Sequence, residues 1–320
     1  MRDNRAYIIF GVLLLGMVAL GFLGDRFLLY VTMRILILAI FALGYDLLFG
    51  RTGLLSFGHG AFFAGGAYGT ALCYLHLAKD PLVCLLAGLL LATALALIIG
   101  FFCVRHTEIY FAMLTLAFGM MVFSLIWNLR EITGGDDGLV GISRGMINLG
   151  LVQIPIRKEG QFYFLVLGLF TLVLWFVHRV RSSPFGLILG GIRENARRTE
   201  FAGANIKHHR LAAFVMSGTL AGLAGGLSVL LESNAGPFSA HWSHSSEPVL
   251  VCLIGGINTL AGPLVGSFIF VALKEVVVRF TPYWMLWFGV VLLVILLGFR
   301  GGVVGTIAAK LGRKTKEVAS

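Results

Sequence analysis

The chain has 320 residues, 58% of them hydrophobic and only 12% charged, with a mean hydropathy of +0.92. Soluble domains carry roughly 25% charged residues, so a disordered chain, a secreted disulfide scaffold and a soluble enzyme are all excluded. The formal net charge of +10 would suggest nucleic acid in a soluble protein. Here the Lys and Arg residues gather in a few segments, the positive-inside pattern of a polytopic membrane protein, and no nucleic-acid partner is expected. The 42 glycines are nearly twice the usual share of roughly 7%, as fits closely packed membrane helices. Cys73, Cys84, Cys103 and Cys252 lie in apolar runs without metal-ligand spacing and read as small buried hydrophobes. Neither metal nor cofactor is expected.

A spanning helix needs about 20 apolar residues. The first uncharged run, 6–24, follows a basic start (Arg2, Arg5) and has no A-x-A site after it, so it reads as an uncleaved first span rather than a signal peptide. Further runs cover 52–78, 81–104, 109–129, 161–177, 211–231, 248–273 and 280–299, and 27–49 is apolar apart from Arg34 and Asp46. The Gly/Asn/Pro-rich stretch Gly255–Pro263 divides 248–280 into two short spans or a re-entrant segment. The reading is an all-α polytopic membrane protein of about ten spans (8–10), with broken or re-entrant segments near 50–66 and 255–263. A single domain covers 1–320. Basic clusters at the start, at Arg51, Arg105, 179–210 and the tail place both termini in the cytoplasm. The loop 130–160 is then external and the loop 179–210 internal. No internal sequence repeat is visible.

The most unusual stretch is 50–69, where seven glycines accompany Ser56, His59 and Tyr68. Discontinuous helices at transporter sites have this composition, because freed backbone groups and helix ends can bind polar ligands. Packing alone would also use glycines in this way: Gly65 and Gly69 have G-x-x-x-G spacing, and Gly218, Gly222 and Gly226 recur every four residues on a later span. Both readings stand for 50–69, whereas the second glycine series is read as a helix contact. Among intramembrane charges, Arg34 and Asp46 are twelve residues apart, about 18 Å along a helix, and cannot pair within it. Asp46 is expected to snorkel or to meet Arg51. Lys274 and Glu275 are expected as solvated heads near an outer end. Asp136 and Asp137 form either a loop cap or a gate for an amine or cation. In the inner loop, Arg193–Glu200 carries i,i+4 pairs and is expected to form a short amphipathic helix. The P-loop pattern G-x-x-x-x-G-K-[ST] does not occur.

Several stretches together resemble one family. They are Ala42–Gly50 running on through Leu55–Phe63, the outer-loop Thr133–Leu139, Ile192–Asn195, Glu200–Gly203, Ala213–Gly218 and Leu253–Pro263. The chain resembles the permeases of branched-chain amino acid ABC importers, specifically their second, longer permease type. The resemblance implies a bacterial inner-membrane location and a second related permease. It also implies two ATP-binding subunits that dock on the inner-loop helix, an external solute-binding protein, and a small amino acid or amide as substrate. It makes the chain a non-catalytic subunit, with ATP hydrolysis in its partners. Ser56, His59, Phe62 and Asp137 become the candidate route, and Arg193, Glu194, Arg197, Glu200 and Gly203 the candidate coupling contacts. The E-A-A motif of wider importers, with glycine four residues after the second alanine, is replaced here by Glu194-Asn195-Ala196 with Gly203 seven residues on. A urea or amide permease, a stand-alone secondary carrier and an intramembrane enzyme are the competing readings. Dependence on ATP and a co-purifying ATPase separate the last two from the importer.

Overall fold

The computed structural model describes residues 16–22, 24–106, 108–148, 153–156, 158–280, 283–298 and 301–306. Residues 6–15 of the expected first span, and the basic start and tail, lie outside these. The described part of that span, 16–22, is helical and is labelled α1. There follow α2 (Arg26–Thr52), α3 (His59–His76), α4 (Pro81–Cys103), α5 (Glu108–Asn128) and the short α6 (Arg130–Thr133). The loop beyond carries β1 (Leu139–Val140), β2 (Met146–Asn148) and β3 (Gln153–Pro155). Next come α7 (Glu159–Ser182), α8 (Pro184–Phe201), α9 (Ile206–Glu232), β4 (Asn234–Ala235) and a 3₁₀ turn, Pro237–Ala240. Three apolar helices close the order: α10 (Trp242–Gly255), α11 (Gly262–Phe280) and α12 (Trp284–Gly298).

Among the described residues, five helices are long and apolar enough to cross a membrane: α2, α4, α5, α7 and α9. Two interruptions shape the others. Residues 53–58, counted in the sequence as part of a 52–78 span, are not helical, so α3 begins only at His59. The chain leaves helix again at 256–261, which separates the 14-residue α10 from α11. Local chemistry sets several ends. Asp80 accepts the Leu82 N–H with Pro81 at the first turn of α4, and Asn205 accepts the His208 N–H at the start of α9.

The layering follows from glycine. In α9, 72% of the most apolar window is buried, against 28% in α5. Gly66 of α3 meets the backbone of Gly222 of α9 so closely that a Cβ on Gly66 would overlap it, and a Cβ on Gly222 would overlap Ala92 of α4. The centre of the bundle is therefore α2, α3, α4 and α9, with α7 against α2. The outer face of α4, together with α5 and α12, exposes Leu86, Leu90, Phe101, Met113, Leu125, Leu293 and Leu297. In water such a surface would aggregate; it suits contact with lipid.

Two small antiparallel ladders sit on one side. In the β1–β4 ladder Leu139 faces Ala235, and in the β2–β3 ladder Ile147 faces Ile154. Arg144 fixes this loop to the bundle by donating to the carbonyls of Leu230 and Leu231 at the end of α9 (3.0 Å each). The opposite side holds the end of α2, the end of α7, α8 and the start of α9. Packing also repeats with exchanged partners. α3 packs on α9 and α4, while α10 packs on α2 and α11, and each of α3 and α10 follows an interruption of the α-helix, 53–58 before α3 and 233–241 before α10. Because α2 and α9 run in opposite directions, this is an inverted arrangement that residue identities do not reveal.

Candidate functional site

The first break needs partners for its backbone, because irregular chain within a bundle is tolerated only when its polar groups are satisfied. Gly53, at φ +77°, ends α2, and the chain turns back along the bundle. Tyr45 serves Ser56 twice: its hydroxyl accepts the Ser56 N–H (3.1 Å) and donates to the Ser56 carbonyl (3.0 Å). Thr115 of α5 accepts the Phe57 N–H (3.2 Å), and Ser56 Oγ accepts the Gly58 N–H (3.4 Å). α3 then starts at His59. Its Nδ1 lies 2.9 Å from Ser56 Oγ and its Nε2 lies 2.8 Å from Ser217 Oγ of α9. Tyr45, Phe62 and Phe214 stand edge-on to the imidazole at 4.9, 5.4 and 5.8 Å between ring centres.

The stretch 233–241 that leads into α10, with its 3₁₀ turn, meets the break at 53–58. Ser245, in the first turn of α10, accepts the Gly60 N–H (2.7 Å), and the backbone of Ser239 and His241 lies against the same glycine. α3 and α10 thus begin side by side inside the bundle. Ser56, His59 and Phe62 come together there, fully buried. In this conformation His59 has both ring nitrogens partnered and is fully buried. Asp137 does not join them; it is exposed on the loop beside β1. Ser217, Ser245 and Tyr45 complete the node, and only the rarity of polar groups within their apolar runs could have pointed to them.

The five glycines read as packing positions all face close neighbours. Gly65 meets Leu95, Gly69 meets Gly88, Gly218 meets Ala96 and Phe62, Gly222 meets Ala92, and Gly226 meets Thr70 and Leu85.

On the α8 side, the structure corrects the expectation for Asp46. It meets neither Arg51 nor solvent. Arg181, at the end of α7, donates to Asp46 Oδ2 at 2.9 Å and to Asn258 Oδ1 at 3.1 Å. The Asn258 N–H, in the turn between α10 and α11, donates to Asp46 Oδ1 at 2.8 Å. Asp46 and Arg181 are 1% and 7% exposed. Gly50, one turn beyond, leaves room for this carboxylate, since a Cβ there would collide with it. Arg193 of α8 donates to the Gly50 carbonyl, so α8 touches the same turn of α2.

The continuous helix expected over Arg193–Glu200 is also corrected. Asn195 has φ −159° and ψ 99°, which divides α8 into 184–194 and 196–201. Its side chain accepts the Arg198 N–H (3.0 Å), so it caps the second piece. Arg193 and Arg197 consequently stand on opposite sides of a kink rather than one turn apart. Glu194, Arg197, Glu200 and Gly203 are exposed, Gly203 with φ +92° just beyond the helix end. Phe201 beside them is 92% exposed, a side chain the sequence did not single out.

The Asp46–Arg181 pair yields a direct prediction. Asp46→Ala leaves a buried unpaired guanidinium and should cost about 3–5 kcal/mol, read as a lower thermal unfolding midpoint in lipid nanodiscs. Asp46→Leu combined with Arg181→Met should recover most of it. An unchanged midpoint in Asp46→Ala would show that the pair contributes nothing to stability.

The chain is similar to several proteins described as transport permeases. It is 28% identical over 274 residues to the high-affinity branched-chain amino acid transport system permease protein LivM of Escherichia coli (strain K12), across 79% of this chain and 64% of that protein. It is 29% identical over 275 residues to LivM of Salmonella typhimurium, with the same coverage. A probable LivM of Methanocaldococcus jannaschii is 27% identical over 276 residues, across 78% of each chain. The chain therefore spans just under two thirds of the length of the first two relatives. No solved structure matches it. The family described as the branched-chain amino acid transport system permease component matches residues 27–299, and on that match, over most of its length, the chain belongs to this permease family.

Proposed function

We propose that this chain is the membrane-spanning permease subunit of an ATP-driven importer for branched-chain or other small amino acids. The family match over residues 27–299 carries the reading. The relatives are named for branched-chain amino acid transport, and helices that begin inside the bundle after a break are an architecture that transporters use. A second related permease, two ATP-binding subunits and an external solute-binding protein would complete the complex. In this reading 1–320 is one permease domain in a bacterial inner membrane. The chain crosses ten times if α1, α2, α3 with its break, α4, α5, α7, α9, α10 with its break, α11 and α12 each cross once. Both termini and α8 are then cytoplasmic, and the loop 130–160 is external.

Ser56, His59 and Phe62 are proposed to lie where a route must open, with Asp137 at its external approach. The node is sealed in this conformation, so transport requires the two broken helices to part. Movement would enter through α8, whose exposed Glu194, Arg197, Glu200 and Gly203 suit docking on an ATPase by charge-assisted contacts. Phe201 adds an apolar anchor. Arg193 would pass the motion to α2 at Gly50, beside the buried Asp46–Arg181 pair.

Three measurements test this reading. Uptake of leucine into vesicles should require ATP, and His59→Leu should slow it without lowering membrane abundance; unchanged uptake would leave His59 a core residue only. Glu194→Lys should insert normally yet lose ATPase association or substrate-stimulated hydrolysis, whereas full association and uptake would remove Glu194 from the coupling contacts. With the native cysteines replaced, a membrane-impermeant thiol reagent added outside should label Asp137→Cys and not Glu194→Cys. The reverse pattern would invert the topology.

A further inference from the structure

Several cations of the bundle are matched at close range. Arg181 holds Asp46, Arg34 Nη1 lies 3.2 Å from Glu275 Oε1, and Lys274 Nζ lies 3.8 Å from Glu247 Oε1. Lys274 and Glu275 are thus paired rather than the solvated heads expected. Another group of cations is not matched. Gly100 of α4 packs against Leu211 and Phe214 of α9, which brings the end of α4 to the start of α9. An open hollow of about 570 Å³ lies there, lined by Arg105, Arg197, Lys207 and Arg210. Among the described residues Glu200 is its one carboxylate, and none of the four cations forms an ion pair. Arg210 is half-buried, and its Nε is enclosed without a hydrogen-bond partner among the described residues.

Like charges around one hollow repel one another, and an enclosed donor left unused is costly. An anion with several acceptor oxygens relieves both. Phosphate has that character, since its oxygens accept from guanidinium and ammonium groups at once, and the start of α9 adds the positive end of a helix dipole. The hollow is of the size of small-molecule sites, roughly 300–1,000 Å³. Its place points to a lipid as the bearer of the phosphate. α4 and α9 are both long and apolar enough to cross a membrane, so the hollow lies where the chain leaves the hydrocarbon. The Arg105 guanidinium lies over the Phe101 ring, 4.5 Å from its centre, and Phe101 continues the exposed apolar face of Leu97 and Ile98. A headgroup in the hollow leaves its acyl chains along that face. The excess of cations disfavours a headgroup that also carries an ammonium, whereas basic pockets between spans suit anionic ones.

We propose that this hollow binds the headgroup phosphate of an anionic phospholipid, held by Arg105, Arg197, Lys207 and Arg210. Bound there, the lipid ties the second piece of α8 to α4 and α9. The site requires α4 and α9 to span a membrane and is independent of what the chain transports. The test uses the full chain with its co-purifying membrane partners in a neutral detergent. It is titrated by calorimetry with dioctanoyl phosphatidylglycerol, dioctanoyl phosphatidylcholine and inorganic phosphate, and the first should bind at least about tenfold more tightly than the others. Arg105 and Lys207 are exposed, and Arg105→Gln with Lys207→Gln should weaken phosphatidylglycerol binding about tenfold or more. Arg179→Gln with Arg198→Gln removes the same charge outside the hollow and should change it less than about twofold. No binding of phosphatidylglycerol, equal binding of the two lipids, or inorganic phosphate binding as tightly as the lipid would each overturn the site. Equal losses in the two double variants would reduce it to general surface charge. Unchanged lipid affinity in Arg105→Gln with Lys207→Gln, together with lost ATPase association, would assign the hollow to a protein contact instead. Should that double variant fail to assemble, Lys207→Gln alone replaces it, with an expected loss of about threefold or more; no loss there would equally overturn the site.

Discussion

A carboxylate placed among apolar helices has to be matched, and Asp46 is matched from two directions at once. The Arg181 guanidinium holds one oxygen and the Asn258 N–H holds the other, so a single side chain of α2 fixes the end of α7 and the turn between α10 and α11. Removing one partner of such a pair is far more damaging than never having built it, which makes the three elements move together or not at all. Gly50 belongs to the same arrangement. Its missing side chain admits the carboxylate, and its carbonyl receives Arg193 from α8. The exposed α8 and the buried pair that ties α2 to α7 therefore meet within one turn of helix.

The broken helices obey the same physics with neutral groups. A non-helical segment such as 53–58 exposes backbone donors and acceptors that an intact helix would satisfy internally. Here Tyr45, Thr115 and Ser56 supply the partners, and His59 joins the result to α9 through Ser217. Ser245 links the start of α10 to the break at 53–58 through the Gly60 N–H. The outcome is a compact polar node sealed by Phe62 and Phe214. Such a node is stable when complete and costly when half open, because each separated group loses a partner in an apolar setting. That property suits a device that occupies discrete states rather than a graded range.

The membrane class, the all-α composition and the places where helices fail were legible in the sequence. Low charge and long apolar runs admit little else, and Gly, Pro and Asn at 50–60 and 255–263 mark segments where a helix cannot continue cheaply. The amphipathic stretch at 193–200 was legible too, though not its kink. Asn195 can either sit in a helix or cap one, and only its neighbours decide. Hydropathy likewise counts 52–78 as one run. The structure leaves 53–58 out of the helix because Tyr45 and Thr115 offer that backbone better partners there.

By itself the sequence determined what kind of solvent surrounds this chain and which segments are helical, because burial of apolar surface and internal backbone hydrogen bonding depend on local composition and period. Pairings across long separations were decided only by the tertiary structure. Asp46 with Arg181, His59 with Ser217, Gly60 with Ser245 and Glu247 with Lys274 join residues from different helices. The inverted packing of α2–α4 and α9–α11 belongs to the same class. A buried polar group states that it needs a partner, but many partners would satisfy it equally; which one it meets follows from how the glycine faces let the helices approach.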